Sequence, residues 1–502
     1  MTQAIVPTGA WSDFCEALDF GALVPDALAE YRPAVVDGLM FFLENLGEER
    51  ADEILGEQLM LPAEAGVAER LVAIARHCPA LHKLGQVLAR DRRLPLQFRL
   101  LLQHLESMPS SLDAAQALAL VEAELGPISA FGGSIDGPPL AEASVAVVVP
   151  FTAPREGGGE VVRGVFKLLK PGVEAKLEEE LGILQRIGAL LDERCEAYRL
   201  PPIAYEETFL QVRDLLAREV QLDHEQAHMT AARDDYAGLA SVVVPEVYPW
   251  STPRVTAMQR IDGVKVTEAP ALSPGGRKRL AKRIVLTLVA RPIWSRGASS
   301  LFHADPHAGN LFATTDDKLG ILDWSLVGRL SKSDRVCLTQ VLLGAFTVDG
   351  ERIRHAIDEM AQGRGDAAAL AALIEARVAR LTEGAWPGMS WVMQLLDEAA
   401  TRARCRFAAD LVMFRKALQT LEGVVADVSP DCRPDHVLTV ALLRELAAEW
   451  GRRSWALPFS RDFATHVSNL DLTQLWASSP LIGSRQLLGL RSHLREMRSS
   501  AR

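Results

Sequence analysis

Apolar positions recur at helical spacing through residues 12–126: Phe14, Leu18, Leu23 and Leu28, then Val35, Val36, Leu39, Phe42, Leu43 and Leu46. Pro25, Pro33, Pro62, Pro79 and Pro95 divide this stretch into separate helices, since proline interrupts the backbone hydrogen-bond ladder. Gly126 and Pro127 close it. The period then changes. Residues 145–151 and 161–169 are valine-rich runs flanking Gly157, Gly158 and Gly159, which predicts an antiparallel hairpin with a glycine-rich turn. The spacing predicts helices over 173–190 and 206–235, and two more strands over 242–247 and 254–261. After Gly263 helical patterning or composition returns at 274–296, 331–347, 351–361, 367–382, 389–424 and 435–450; the alanine-rich run after Asp366 is the clearest by propensity.

One stretch interrupts that helical half. Residues 302–323 place Asp305 and Asn310 five positions apart, then a strand (311–313), a polar turn (314–318), a second apolar strand (319–322) and Asp323. Asp-x4-Asn, hairpin, Asp is the order in which kinase-like phosphotransferases assemble a site for Mg²⁺ and ATP. Asp305 is the candidate that orients or deprotonates an attacking hydroxyl. Asn310 and Asp323 are the candidate metal ligands: Mg²⁺ takes hard oxygen donors, and an amide oxygen coordinates without adding negative charge near ATP. Asp-x4-Asn alone is a weak signal, and the hairpin with its second Asp supplies the specificity. His303 and His307 are four apart, but Pro306 breaks any helix there, so they suit hydrogen bonding within the loop better than zinc.

Lys167 sits within a strand pattern after the hairpin, where a lysine can grip nucleotide phosphates; alternation puts it on the face opposite Phe166 and Leu168. It needs a carboxylate to fix its direction. The 206–235 segment offers Glu219, Asp223 and Glu225, and spacing places Glu219 and Asp223 on one helix face without choosing among the three. Residues 139–145 sit where a phosphate-covering loop belongs, with the small side chains Ala141, Ala143 and Ser144 allowing backbone amides to approach phosphate.

Composition narrows the alternatives. At 502 residues, 48% hydrophobic and 24% charged, the chain has the profile of a folded protein with more than one domain. A net charge of −11 argues against broad nucleic-acid binding. The six cysteines lack paired spacing and read as free thiols of a reducing compartment. Neither a signal peptide nor an apolar run of membrane-spanning length is evident; residues 284–294, the best candidate, are short and contain Arg291. These features predict a cytoplasmic location, with peripheral contact at the inner face of a membrane through a basic amphipathic tail, where Leu487, Leu490, Leu494 and Met497 run beside Arg491, Arg495, Arg498 and Arg502.

The predicted architecture is α+β: a helical N-terminal region (1–76), a helical extension (77–130), a small mixed lobe (131–263), a large helical lobe carrying the catalytic loop (264–455) and a C-terminal tail (456–502). ATP is expected in the cleft between the lobes.

The chain resembles the UbiB/AarF atypical kinase family, whose members include kinase-like proteins of coenzyme Q biosynthesis. The resemblance spans about residues 77–345, with helical continuation to about 450. It is carried by Lys83-Leu84-Gly85-Gln86, similar to the family's Lys-x-Gly-Gln motif, by the alanine-containing loop 141–144, by Lys167 with Lys170-Pro171-Gly172 after it, and by 303–310, which fits His-x-Asp-Pro-His-x-Gly-Asn. The resemblance implies a two-lobed protein-kinase-like fold, ATP and Mg²⁺ as cofactors, a Lys167–Glu225 pair, and a Lys83–Glu219 pair that lays the Lys-x-Gly-Gln helix over the substrate side. Lys83, Gly85, Gln86, Glu219 and Gln221 would then be regulatory. Two positions depart from the family: Gln221 stands where Glu-x-Asp would supply an acid, and Asp323-Trp324-Ser325 replaces Asp-Phe-Gly. The implied activity is Mg²⁺-dependent ATP hydrolysis or phosphorylation of a small or lipid-like substrate in quinone or lipid metabolism. A pseudokinase regulator or chaperone of lipid-pathway proteins is the alternative that the two departures favour. A small-molecule kinase of aminoglycoside or choline phosphotransferase type is the third, and Lys83–Gln86 speaks against it.

Overall fold

The computed structural model of the chain describes residues 11, 18–88, 99–100, 102, 112–155, 160–200, 204–269, 272–383 and 385–480. The glycine turn at 157–159 and the basic tail at 486–502 lie outside the described residues. The chain divides into two compact units, Met1–Thr230 with Glu246–Arg260, and Ala231–Pro245 with Ile261–Arg502.

The first unit opens with helices α1 (Arg32–Glu44), α2 (Glu48–Met60), α3 (Val67–His77), α4 (Pro79–Leu88) and α5 (Ala114–Leu125). Their apolar faces supply Phe42, Leu43, Ile54 and Ile74 to a core completed by Leu177, Leu181 and Leu184 of α6 (Val173–Glu193). Each such side chain contributes roughly 1.5–3 kcal/mol by leaving water. Strands β1 (Ser134–Ile135), β2 (Ala141–Glu142), β3 (Ala146–Pro154) and β4 (Val161–Leu169) follow, with β3 and β4 antiparallel in a register that sets Val148 opposite Lys167. Phe151 and Phe166 stack at 3.9 Å in the middle of this hairpin. Gly164 makes room for them, because a Cβ there would come within 2.4 Å of the Phe151 ring. Helices α7 (Tyr205–Ala217) and α8 (Leu222–Tyr236) come next; the chain then gives β5 (Val242–Val243) to the second unit and returns with β6 (Val255–Gln259), antiparallel to β4.

Three predicted elements are corrected. The single helix expected over 206–235 is two helices separated by a 3₁₀ turn, Arg218–Val220, with Gln221 at the non-helical φ −100°, ψ 73°. Glu219 and Asp223 therefore do not share a helix face. The strand expected over 242–247 contracts to Val242–Val243; Pro245 lacks the N–H a ladder needs. The helix expected over 389–424 is broken at Arg404, which takes φ 53°.

The second unit contains a small sheet of β7 (Gly263–Lys265), β9 (Leu311–Thr314) and β10 (Leu319–Ile321) with β5 at its edge, and a separate ribbon of β8 (Ser299–His303) with β11 (Val327–Ser331). Around them pack α9 (Pro274–Val285), which runs on into a π turn at Leu286–Ala290, then α10 (Lys332–Thr347), α11 (Gly350–Met360), α12 (Ala367–Thr382), α13 (Met389–Arg402), α14 (Ala409–Val428) and α15 (Pro434–Ala448). The chain's described part closes with the short α16 (Trp450–Arg453) and with α17 (Asn469–Ala477).

His466, before α17, gives this unit a pH-dependent stability. Its Nε2–H donates to the Ile293 carbonyl at 3.2 Å, and its buried Nδ1 has no hydrogen-bond partner. Burial, reinforced by the Arg335 charge, pushes the imidazole down to about 4. Between pH 6.5 and 4 the unfolded chain holds a proton that the folded one does not, so stability is full above 6.5 and falls as pH drops toward 4. The loss is about 3 kcal/mol at about 1.4 kcal/mol per pKa unit. In urea melts at pH 7 and pH 4.5, His466→Gln should flatten the part of the pH slope that this imidazole causes; an unchanged slope would rule it out.

Candidate active site

In the first unit the site is built around Lys167. Strand β4 holds it in register with Thr256 of β6, a buried threonine between Val255 and Ala257. Lys167 Nζ donates to both Glu225 carboxylate oxygens, at 2.9 and 2.7 Å. Glu225 is buried, so this is a nearly dry ion pair in which each charge depends on the other. The next residue on α8 explains the aim: Gln226 Nε2 donates to Thr252 O at 2.8 Å and Thr256 Oγ1 at 3.0 Å, pinning the start of α8 to β6. Of the three carboxylates left open by the sequence, Glu225 faces Lys167, Glu219 faces elsewhere and Asp223 is exposed.

Glu219, in the 3₁₀ turn, pairs with Lys83 of α4 at 2.8 Å. Helix α4 is itself anchored from beneath. Glu180 of α6, fully buried, accepts from the Ala80 backbone N–H at 2.7 Å and pairs with Arg50, which also reaches Glu179 at 2.5 Å. Burial pushes the Glu180 carboxyl up to about 7, against the pull of Arg50 and of the Ala80 N–H. The break in the expected helix at Gln221 is what allows Glu219 and Glu225, six residues apart, to serve two different lysines. Gly85 is buried within α4; Gln86 lies on the same helix, and Gln221 is exposed.

The loop 139–145 is partly strand. Ala141 and Glu142 form β2 against β3, and the Ala143 N–H donates to the Ala146 carbonyl at 2.8 Å, leaving Ser144 buried in the tight turn. Glu142, which the sequence did not single out, pairs with Lys170 at 2.8 Å and ties this loop to the end of β4.

In the second unit the hairpin β9–β10 sets the geometry. The Leu322 N–H donates to the Asn310 carbonyl at 2.8 Å, one step beyond the Leu311–Ile321 pair, so Asn310 and Asp323 stand together at the open end. Asn310 Nδ2 donates to the Asp305 carbonyl at 3.1 Å, which fixes the amide's orientation. Asp323 has φ 54°, and its Oδ1 accepts from the Ser325 N–H at 3.3 Å, a local bond that helps a short polar side chain hold left-handed backbone. An amide oxygen and a carboxylate at one end of a hairpin are the hard donors Mg²⁺ takes when phosphates complete its shell, so the residues fit that ion.

Asp305 is held by its neighbours. Its N–H donates to His303 Nδ1 at 3.2 Å, and His303 Nε2 donates to the Leu322 carbonyl at 3.0 Å. Burial lowers the His303 pKa, keeping the ring neutral and this tautomer in place. His307 Nδ1 accepts from the Gly309 N–H at 3.0 Å, which leaves Nε2 as the N–H that faces Asp305 Oδ2 at 3.8 Å. A side chain at 309 would strike the His307 ring at 2.8 Å, hence the glycine.

Trp324 is where the loop departs most from the family pattern. It is fully buried, its Nε1 donates to Ile321 O at 3.1 Å, and its ring meets His303 edge-on at 4.8 Å. The residue after Asp323 is thus a fixed strut under the 303–310 loop. Sequence reasoning missed this bracing role and that of Gln226; a tryptophan in a polar turn, and a threonine amid Val255, Ala257 and Met258, were the available signals.

Residues 104–357 match the model of the ABC1 atypical kinase-like domain. A protein named probable protein kinase UbiB from Xanthomonas euvesicatoria pv. vesicatoria (strain 85-10) is 27% identical over 458 residues, covering 85% of this chain and 79% of that one. Its namesake from Cellvibrio japonicus (strain Ueda107) is 27% identical over 368 residues, covering 70% and 64%. The solved Rv3197–erythromycin complex from Mycobacterium tuberculosis aligns at 16% identity with a TM-score of 0.47, over 80% of this chain and 94% of that one. With half its length matched by the domain, and the fold that goes with it, the chain belongs to the ABC1 atypical kinase-like family.

Proposed function

We propose that the protein is an ATP- and Mg²⁺-dependent kinase-like enzyme that hydrolyses ATP or phosphorylates a small or lipid-like acceptor, in support of quinone or lipid metabolism. The observation that carries the reading is the buried Lys167–Glu225 pair at 2.7 Å. Holding a lysine charge in a strand with a buried carboxylate is costly for stability alone and is useful where the ammonium must meet phosphate oxygens in one direction. Lys167 grips the ATP phosphates, and the loop 141–144 offers backbone amides to them. Asn310 and Asp323 would hold Mg²⁺, which when bound neutralises charge developing on the transferred phosphoryl group. Asp305, oriented through His303 and His307, accepts the proton of the attacking hydroxyl or water. A small acceptor is favoured by the resemblance, in which the Lys-x-Gly-Gln helix covers the substrate side; here Lys83 and the Glu180–Arg50 anchor hold α4 close to Glu219, six residues from the partner of Lys167.

A second reading, a nucleotide-binding regulator without turnover, is supported by the exposed Gln221 at the position of an acid. The deciding experiment is phosphate release by the purified protein with ATP and Mg²⁺. Steady release that disappears with EDTA is expected. Tight ATP binding without release would transfer the assignment to the regulator, and an absence of nucleotide binding with any metal would remove both.

A further inference from the structure

Helices of the second unit enclose a hollow that shares no residue with the site described above. Its apolar walls are Val285 and Val289, from α9 and the π turn after it, Met389 and Met393 of α13, and Val425 of α14. All five side chains are buried. The first turn of α15 closes the fourth side. Helices α13, α14 and α15 all follow the residues matched to the kinase-like domain. The space within is about 70 Å³. That is room for a short alkyl chain, set against the roughly 150 Å³ cavity that takes benzene. Unbranched methionines let two of the walls adjust to an occupant, and a π turn in a helix often marks a functional position.

The charged part of the lining is acidic throughout, and it identifies the occupant. Asp435, on the first turn of α15, is half-buried; its Oδ1 accepts from the Met389 N–H at 2.8 Å. Its Oδ2 lies against the backbone of Gly388, where a Cβ would strike it, so the glycine is what lets this carboxylate sit there. Glu422 of α14, exposed, accepts from the Ser390 hydroxyl. Among the described residues no lysine, arginine or histidine pairs with either carboxylate, and burial pushes the Asp435 carboxyl up. A partly buried carboxylate without a counter-charge is costly, and a cation brought to it offsets that cost. A bare metal ion would leave the apolar walls unused, and among the described residues no three histidine, cysteine or acidic side chains gather to hold one. An anion would meet two like charges. We propose that this hollow binds a small aliphatic amine, its alkyl chain among the valine and methionine side chains and its ammonium against Asp435 and Glu422. The proposal is independent of the catalytic reading.

The test titrates the full-length protein with butylammonium, ethylammonium and butanoate, followed by calorimetry and by thermal melts. Butylammonium should saturate one site with a Kd on the order of 1 mM or tighter and raise the melting temperature as it does so. Ethylammonium, two methylenes shorter, should bind at least about tenfold more weakly, and butanoate, of similar size and opposite charge, at least about tenfold more weakly as well. Asp435→Asn keeps an acceptor for the Met389 N–H and removes the charge. It should lower butylammonium affinity at least about tenfold while melting no earlier than the parent. Glu422→Gln, at an exposed position, should lower it about threefold and serves as the charge test should Asp435→Asn fail to fold. Butanoate binding as tightly as butylammonium, no saturable binding of butylammonium, or undiminished binding by either variant would overturn the proposal. So would equal affinity for ethylammonium and butylammonium, which would leave two surface carboxylates attracting cations and the hollow empty of any chain.

Discussion

Asp305→Asn should lower Mg²⁺-dependent ATP turnover by at least about a hundredfold, the scale of a lost general base, while ATP affinity stays within about threefold. The argument rests on what the substitution leaves alone. The two contacts that hold the loop use the Asp305 backbone: its N–H to His303 Nδ1 and its carbonyl to Asn310 Nδ2. An asparagine keeps both and keeps the side-chain shape, so the metal-ligand candidates stay where they are. What disappears is the anionic oxygen to which the proposed mechanism passes a proton and that the His307 Nε2–H faces. Phosphate release measured beside calorimetric ATP binding separates the two quantities. Turnover within threefold of the parent would show that Asp305 accepts no proton in the rate-limiting step, and the regulator reading would gain what the enzyme reading lost. A parallel fall in affinity and turnover would instead indicate a loop that had moved.

The parts of this site that were legible in the sequence are those fixed by local rules. Strand β4 appears at the predicted residues because alternation over 161–169 faces Phe166 and Leu168 to the core and leaves Lys167 on the other side. The β9–β10 hairpin is equally local: a polar turn joins two short apolar runs, and their register sets Asn310 against Leu322, next to Asp323. Illegible features depend on contacts far apart in sequence or on a single dihedral. Nothing in Arg218-Glu219-Val220-Gln221 announces that the helix ends there; the 3₁₀ turn goes with what the acid within it and the acid after it reach, Lys83 and Lys167, 136 and 58 residues away. Arg404 breaks the 389–424 helix with a left-handed residue that is neither glycine nor asparagine, in a segment whose composition favours helix throughout. The resemblance to a family named the Lys83–Glu219 and Lys167–Glu225 pairs where spacing alone left three carboxylates open. The bracing beneath them, Glu180 on the Ala80 N–H and Gln226 on Thr256, belongs to no motif and required coordinates.

The second large effect concerns the Lys167–Glu225 pair, and its value is that stability and nucleotide binding should part company. Glu225→Gln removes the carboxylate that pairs with the Lys167 ammonium; Lys167→Met removes the ammonium that pairs with the buried Glu225 carboxylate. Removing one partner of a buried ion pair typically costs about 3–5 kcal/mol, and the partial exposure of Lys167 puts the Glu225→Gln cost at the lower end. Each single variant should also lose ATP affinity at least tenfold, one because the lysine has no fixed direction and the other because it is absent. The double variant removes both charges together, so its stability should recover to within about 1–2 kcal/mol of the parent, well above the sum of the single losses. Its ATP affinity should not recover at all. Denaturant melts and calorimetric ATP titrations on the four proteins provide the full cycle. A double variant that binds ATP as the parent does would reduce the pair to a structural staple and remove Lys167 from the nucleotide site.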